Sequence, residues 1–101
     1  MAIPDQARIA YTVFGYSHLN ANGTTTIKSS SGVLHTVSIN TKGATANTVT
    51  LYDNTAGSGT VIAVIDTTSS VQTLFFDVVF QTGLTAVVAT GTAADLTIAY
   101  T

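Results

Sequence analysis

From residue 33 onward, apolar and polar side chains alternate along most of this chain. Val33, His35, Val37 and Ile39 fall in one phase and Leu34, Thr36, Ser38 and Asn40 in the other, the pattern of a half-buried strand. Thr48-Val49-Thr50-Leu51-Tyr52 repeats it after the turn-rich stretch Thr41-Lys42-Gly43-Ala44. Val61 to Ile65 is a continuous apolar run, which predicts a strand buried on both faces or lying at a subunit contact. Leu74, Phe76, Val78 and Phe80 share one face of a further strand, with Phe75, Asp77 and Val79 on the other. Leu84 to Thr90 and Leu96 to Tyr100 complete the series, and Ile9 to Phe14 and Thr24 to Ser29 are weaker candidates. Asn22-Gly23, Ser29-Ser30-Ser31-Gly32, Gly43, Gly57-Ser58-Gly59, Gly83 and Gly91 punctuate these runs, many at spacings of roughly 8 to 12 residues. No window carries a helical apolar stripe. The expectation is an all-β fold: an antiparallel, jelly-roll-like β-sandwich of seven or eight strands.

Composition sharpens this picture. Threonine occurs 20 times in 101 residues, and β-branched side chains suit a pleated sheet better than a helix. Charged residues are 8% of the chain, against about 25% in ordinary soluble domains. The acids are five aspartates, and the bases are Arg8, Lys28 and Lys42. Three scattered bases give no footprint for nucleic acid and no polybasic route to an anionic membrane. The longest apolar run is five residues, far short of the roughly 20 needed to span a bilayer. No cysteine is present, which removes disulfides, thiolate nucleophiles and cysteine-ligated metals. Met1 to Arg8 has no apolar core of a secretion signal, so synthesis in the cytoplasm is expected.

No motif reads as an active site. His18 and His35 are the only imidazoles. His35, in phase with Val33, Val37 and Ile39, reads as a core or interface histidine bonded to backbone, and His18 as a loop residue. Gly57-Ser58-Gly59 lacks the G-x-S-x-G elbow pattern and reads as a hairpin tip. Asp66-Thr67-Thr68 reads as a strand ending in a turn. Asp53-Asn54-Thr55 has too few acids for a calcium loop, so an Asx-turn is expected. The chain is read as non-enzymatic, with no catalytic, cofactor or metal site.

A surface so poor in charge favours association over repulsion. Phe75 and Val79, opposite the inferred core face, are the candidates for a contact with another molecule. Residues 1–8 hold the single proline and little alternation. They read either as a frayed terminus or as an extended arm lying on a neighbouring subunit, with Ile3, Pro4 and Arg8 as further interface candidates in the second case, ahead of one sandwich domain over 9–101.

The stretch Val33-Leu34-His35-Thr36-Val37-Ser38-Ile39-Asn40-Thr41-Lys42-Gly43-Ala44 and the stretch Asn47-Thr48-Val49-Thr50-Leu51-Tyr52-Asp53-Asn54-Thr55-Ala56-Gly57-Ser58-Gly59-Thr60 resemble small virion proteins of tailed bacteriophages. So does the closing Thr90-Gly91-Thr92-Ala93-Ala94-Asp95-Leu96-Thr97-Ile98-Ala99-Tyr100. That resemblance, over roughly residues 24 to 101, implies a virion structural protein that cements or decorates the outside of a capsid. It implies the major capsid protein as partner, together with further copies of the chain as a homodimer or homotrimer, and a place on the virion surface. The alternative is a receptor- or carbohydrate-binding module of a head fibre or tail appendage, for which Tyr11, Tyr16 and Tyr52 could form an aromatic platform.

Overall fold

Turns fall at the glycine, serine and asparagine clusters, and the segments between them extend into strands in a computed structural model that describes residues 13–101. The strands are β1 (Gly15–Leu19), β2 (Gly23–Lys28), β3 (Gly32–Thr41), β4 (Thr48–Asp53), β5 (Thr60–Asp66), β6 (Gln72–Phe80), β7 (Leu84–Ala89) and β8 (Asp95–Tyr100). The described residues contain no helix. A first sheet has the order β1-β8-β3-β6 and a second the order β2-β7-β4-β5, with every pairing antiparallel. Apart from the β4–β5 hairpin, each connection passes from one sheet to the other. This is the eight-stranded, two-sheet connectivity of a jelly roll, and the expected fold class stands.

The core lies between the sheets. Leu34, Val37 and Ile39 of β3 meet Leu96 and Ile98 of β8 and Phe80 of β6 from one side. Val49 and Leu51 of β4 and Leu84, Ala86 and Val88 of β7 fill it from the other. Phe80 is the largest side chain fully removed from water, a burial that contributes about 1.5–3 kcal/mol. Leu74 and Phe76 pack against this core from β6, as their shared phase predicts.

The inward phase of β3 differs from the simple alternation, because β3 carries a bulge. Leu34 pairs with Tyr100 and Thr36 with Ala99, so one residue of β3 has no opposite number on β8. The extra residue, His35, moves the inward set from Val33, His35, Val37 and Ile39 to Leu34, Val37 and Ile39. β5 also departs from expectation. It is not buried on both faces: it forms the edge of the second sheet, with Ile65 buried and Val61 and Val64 exposed. Finally, β1 was not legible as a strand. Tyr16-Ser17-His18-Leu19 reads as a loop because only Leu19 packs against the core there, whereas the weaker candidate Ile9 to Phe14 lies mostly outside the described residues.

At one end of the sandwich four connections converge on a single fully buried side chain, Asn47. Its amide nitrogen donates toward Asn22 Oδ1 at 3.0 Å, the Ala89 carbonyl at 3.1 Å and the Thr90 carbonyl at 2.8 Å. Its amide oxygen accepts from Thr67 Oγ1 at 2.6 Å and from the Ala94 N–H at 3.2 Å. The β1–β2, β3–β4, β5–β6 and β7–β8 connections are thereby tied together. Around this knot the backbone takes unfavourable conformations: Thr45, Ala46 and Thr90 have φ of 58°, 61° and 72°, each costing on the order of 1–3 kcal/mol. Gly91, with φ of 61°, sits where a Cβ would collide with the Ala44 and Thr45 carbonyls, so glycine is required there.

At the other end Asp53 plays a similar part. Its carboxylate accepts from the Gln81, Thr82 and Gly83 N–H groups and so holds the β6–β7 turn against the end of β4. The β4–β5 loop folds back over the second sheet, where Thr85 Oγ1 donates to the Asn54 carbonyl at 2.8 Å. Gly57 rests on Val87 and Thr24 so closely that a Cβ would lie 2.8 Å from a Val87 methyl.

Replacing Asn47 with alanine strands the Ala94 amide and the carbonyls it serves. Asn47→Ala is expected to lower unfolding free energy by about 3 kcal/mol, read as a lower urea midpoint with an unchanged slope. Asn40→Ala, which removes an exposed amide, should cost under about 1 kcal/mol.

Candidate interaction surface

The side chains that face outward at the sandwich edges follow from the same alternation that fills the core. On β6, Leu74, Phe76 and Phe80 turn inward, which leaves Phe75 at 71% exposure and Val79 at 67% on the outer face of the first sheet. Beyond its start, in the β5–β6 connection, Val71 is 61% exposed, and on neighbouring β5 Val64 is 64% exposed. β5 and β6 are the edge strands of their respective sheets and are joined by a short connection. They therefore make one flank of the molecule, with Phe75 and Val79 on the outer face of the first sheet and Val64 on that of the second. β1 and β2, joined as briefly, make the opposite flank, where Val13 and Tyr16 stand most exposed.

An aromatic line crosses the outer face of the first sheet. The Phe14 ring stacks on His35 with centroids 4.1 Å apart and planes 6° from parallel. The His35 ring meets Phe75 edge-on at 6.0 Å, within the range in which aromatic pairs attract. His35 Nδ1 is hydrogen-bonded to the Asp77 carboxylate. Asp77, with φ of 51°, stands at the matching irregularity on β6, where Phe76 and Asp77 oppose the single residue His35. His35 is thus a surface residue bonded to a carboxylate, and not a core histidine bonded to backbone. The cause is the β3 bulge, which turns the ring to the outer face.

His18 is on β1 and not in a loop. Its Nε2 lies 2.7 Å from Asp95 Oδ1, and Asn40 Nδ2 donates to the same oxygen at 2.9 Å and to Thr97 Oγ1 at 2.9 Å. Asp53 accepts backbone N–H groups from the β6–β7 turn in place of the expected Asx-turn; Asp66 makes such a turn. Asn54 Oδ1 accepts from the Thr55 N–H and Asp66 Oδ1 from the Thr68 N–H. Among the described residues no three His, Asp or Glu side chains converge as a metal site would need, and no buried side-chain nitrogen or oxygen lacks a partner. Ile3, Pro4 and Arg8, with the arm proposed over residues 1–8, lie outside the described residues. Tyr16 and Tyr52 are on different sheets, so they do not join in one aromatic platform; Tyr11 also lies outside the described residues.

No protein-family model matches this chain, and no curated protein sequence does. Its fold is similar to a solved structure, the core of Drosophila NLP, with a TM-score of 0.55 at 16% identity over 89% of this chain and 97% of that one. That structure is described as providing insight into pentamer formation and histone binding. The finding overturns the likeness to tailed-phage virion proteins. With it fall the capsid-cement and decoration reading, the fibre or appendage module, the major capsid protein as partner, the dimer or trimer, and the place on the virion surface. The physical reason lies in what carried that likeness. Alternating strands separated by small-residue turns report a β-sandwich as such, and the likeness to the NLP core is one of fold at 16% identity.

The carboxylates yield a prediction about acid stability. Hydrogen bonds from the Gln81 and Thr82 N–H groups hold Asp53 below the usual aspartate range. The Thr68 hydroxyl and N–H do so for Asp66, and the Asn40 amide followed by His18 for Asp95. A carboxyl whose folded pKa is depressed contributes stability above its unfolded value and loses it as pH falls through the folded value. The urea midpoint is therefore expected to hold steady from neutrality to about pH 5 and to fall below about pH 4. Asp53→Asn should start lower and fall less steeply. A midpoint independent of pH down to about pH 2 would contradict the assignment.

Proposed function

We propose that the chain is the self-assembling core of a protein-binding ring, acting by binding and not by catalysis. The observation that carries this reading is the pair of bare apolar flanks, Phe75, Val79 and Val64 on one and Val13 and Tyr16 on the other. Large apolar side chains grouped at an edge mark contact surfaces, and the charge-poor composition leaves little repulsion between copies. The likeness to a core described in terms of pentamer formation and histone binding supports a pentamer as the assembly and histones or similarly basic proteins as the partner. A net charge of −2 per chain is small, but a closed ring multiplies it and adds the copies' fields toward a cationic partner.

Light scattering on the full chain at micromolar concentration should give about five times the 10.4 kDa chain mass. Purified core histones should bind that assembly at low ionic strength and release as salt is raised, because the attraction between exposed charges is screened. A mass equal to the single chain at all concentrations would refute the assembly. Failure of histones to bind at low salt would refute the partner class.

A further inference from the structure

A closed ring of more than two copies cannot be built from one self-complementary patch. It needs a heterologous contact, in which two different surfaces of the chain meet head to tail. Resting on the ring reading above, we infer that the β1 flank of one copy docks onto the β6 flank of the next, with Tyr16 of the first meeting Phe75 and Val79 of the second.

The placement of side chains supports this pairing. Tyr16 is 72% exposed and Phe75 is 71% exposed, on the outer face of the same sheet at its two opposite edges. Tyr16 brings an apolar ring with a hydroxyl donor. The β6 flank brings an apolar ring, a valine and the Asp77 carboxylate, of which one oxygen is bonded to His35. Donor thus meets acceptor and ring meets ring. The self-complementary alternatives are poorer. Two β6 flanks face to face would bring two Asp77 carboxylates together, and like charges across an interface repel. Two β1 flanks would join only Val13, Tyr16 and the half-exposed His18.

Neither β1 nor β6 carries a lysine, arginine or proline, the residues that usually guard a sheet edge. The irregularity at Asp77 interrupts β6. The contact is therefore made by side chains and not by one long continued ladder.

A complementation experiment separates this geometry from its rivals. Tyr16→Ser spoils one flank and Phe75→Ser the other, and both positions are exposed, so thermal unfolding should confirm that each variant keeps its fold. If the contact is head to tail, each variant alone runs near 10.4 kDa, because every junction needs both flanks. An equimolar mixture then forms a species of twice that mass, since one intact Tyr16 flank and one intact Phe75 flank remain. Loss of assembly in Phe75→Ser alone, with Tyr16→Ser keeping the full mass, would overturn the inference in favour of a β6-to-β6 contact. Two monomeric variants that yield no mixed dimer, or two variants that both keep the parent mass, would overturn it as well. A monomeric parent chain would instead refute the ring reading itself, so the two failures are distinguishable.

Discussion

The hydrogen bonds of Asn47 are the constraint on which the rest of the sandwich depends. A jelly roll sends most of its connections across the two sheets, so it ends in loops whose backbone groups have no sheet partner. Four such connections meet around Asn47, which serves three of them from the fourth. Asparagine suits the task because its amide both donates and accepts, whereas a carboxylate accepts only. The residue is wholly buried, and its bonds to Thr67 and Ala94 are buried with it, so their loss leaves unsatisfied groups in the interior. The left-handed Thr45, Ala46 and Thr90 show what the knot holds in place, since nothing in their own side chains favours that conformation.

Asp53 does the corresponding work at the other end with an ionised group. The difference follows from exposure. Asn47 is sealed from water, where an unpaired charge would be costly, while Asp53 lies near the surface and keeps its charge while accepting the N–H groups of a tight turn. Between these two fixed ends the sheets need only fill their interval with Leu, Val, Ile and one Phe.

Of the alternating set on β6, Leu74, Phe76 and Phe80 pack on the core as the pattern predicts while Val78 stays exposed, and Val49, Leu51, Leu96 and Ile98 follow their pattern on β4 and β8. The punctuation by glycine and asparagine marked most turns. What alternation could not show is where its phase breaks. A bulge adds one residue without changing local composition, so His35 looked like a core position when the strand had in fact turned it outward. β1 was hidden for a different reason. It is short and mostly exposed, and an edge strand that packs through one leucine leaves almost no pattern. Asn47 leaves little trace in the sequence, because a lone asparagine between two strands looks like an ordinary turn residue.

Closing two sheets face to face leaves four strand edges, and this chain treats them unequally. β2 carries Lys28 beside a register shift and is lined by threonines, so its edge is polar and guarded. β5 and β6 present Val64, Phe75 and Val79, and β1 presents Tyr16. The middle of the second sheet's outer face is covered by the β4–β5 loop, which buries Thr85, while the apolar side chains of the edge strands stay bare. The same loop that could have shielded an edge is spent on a face already rich in threonine. Apolar side chains left open at unguarded edges are the groups through which the proposed contacts between copies would be made.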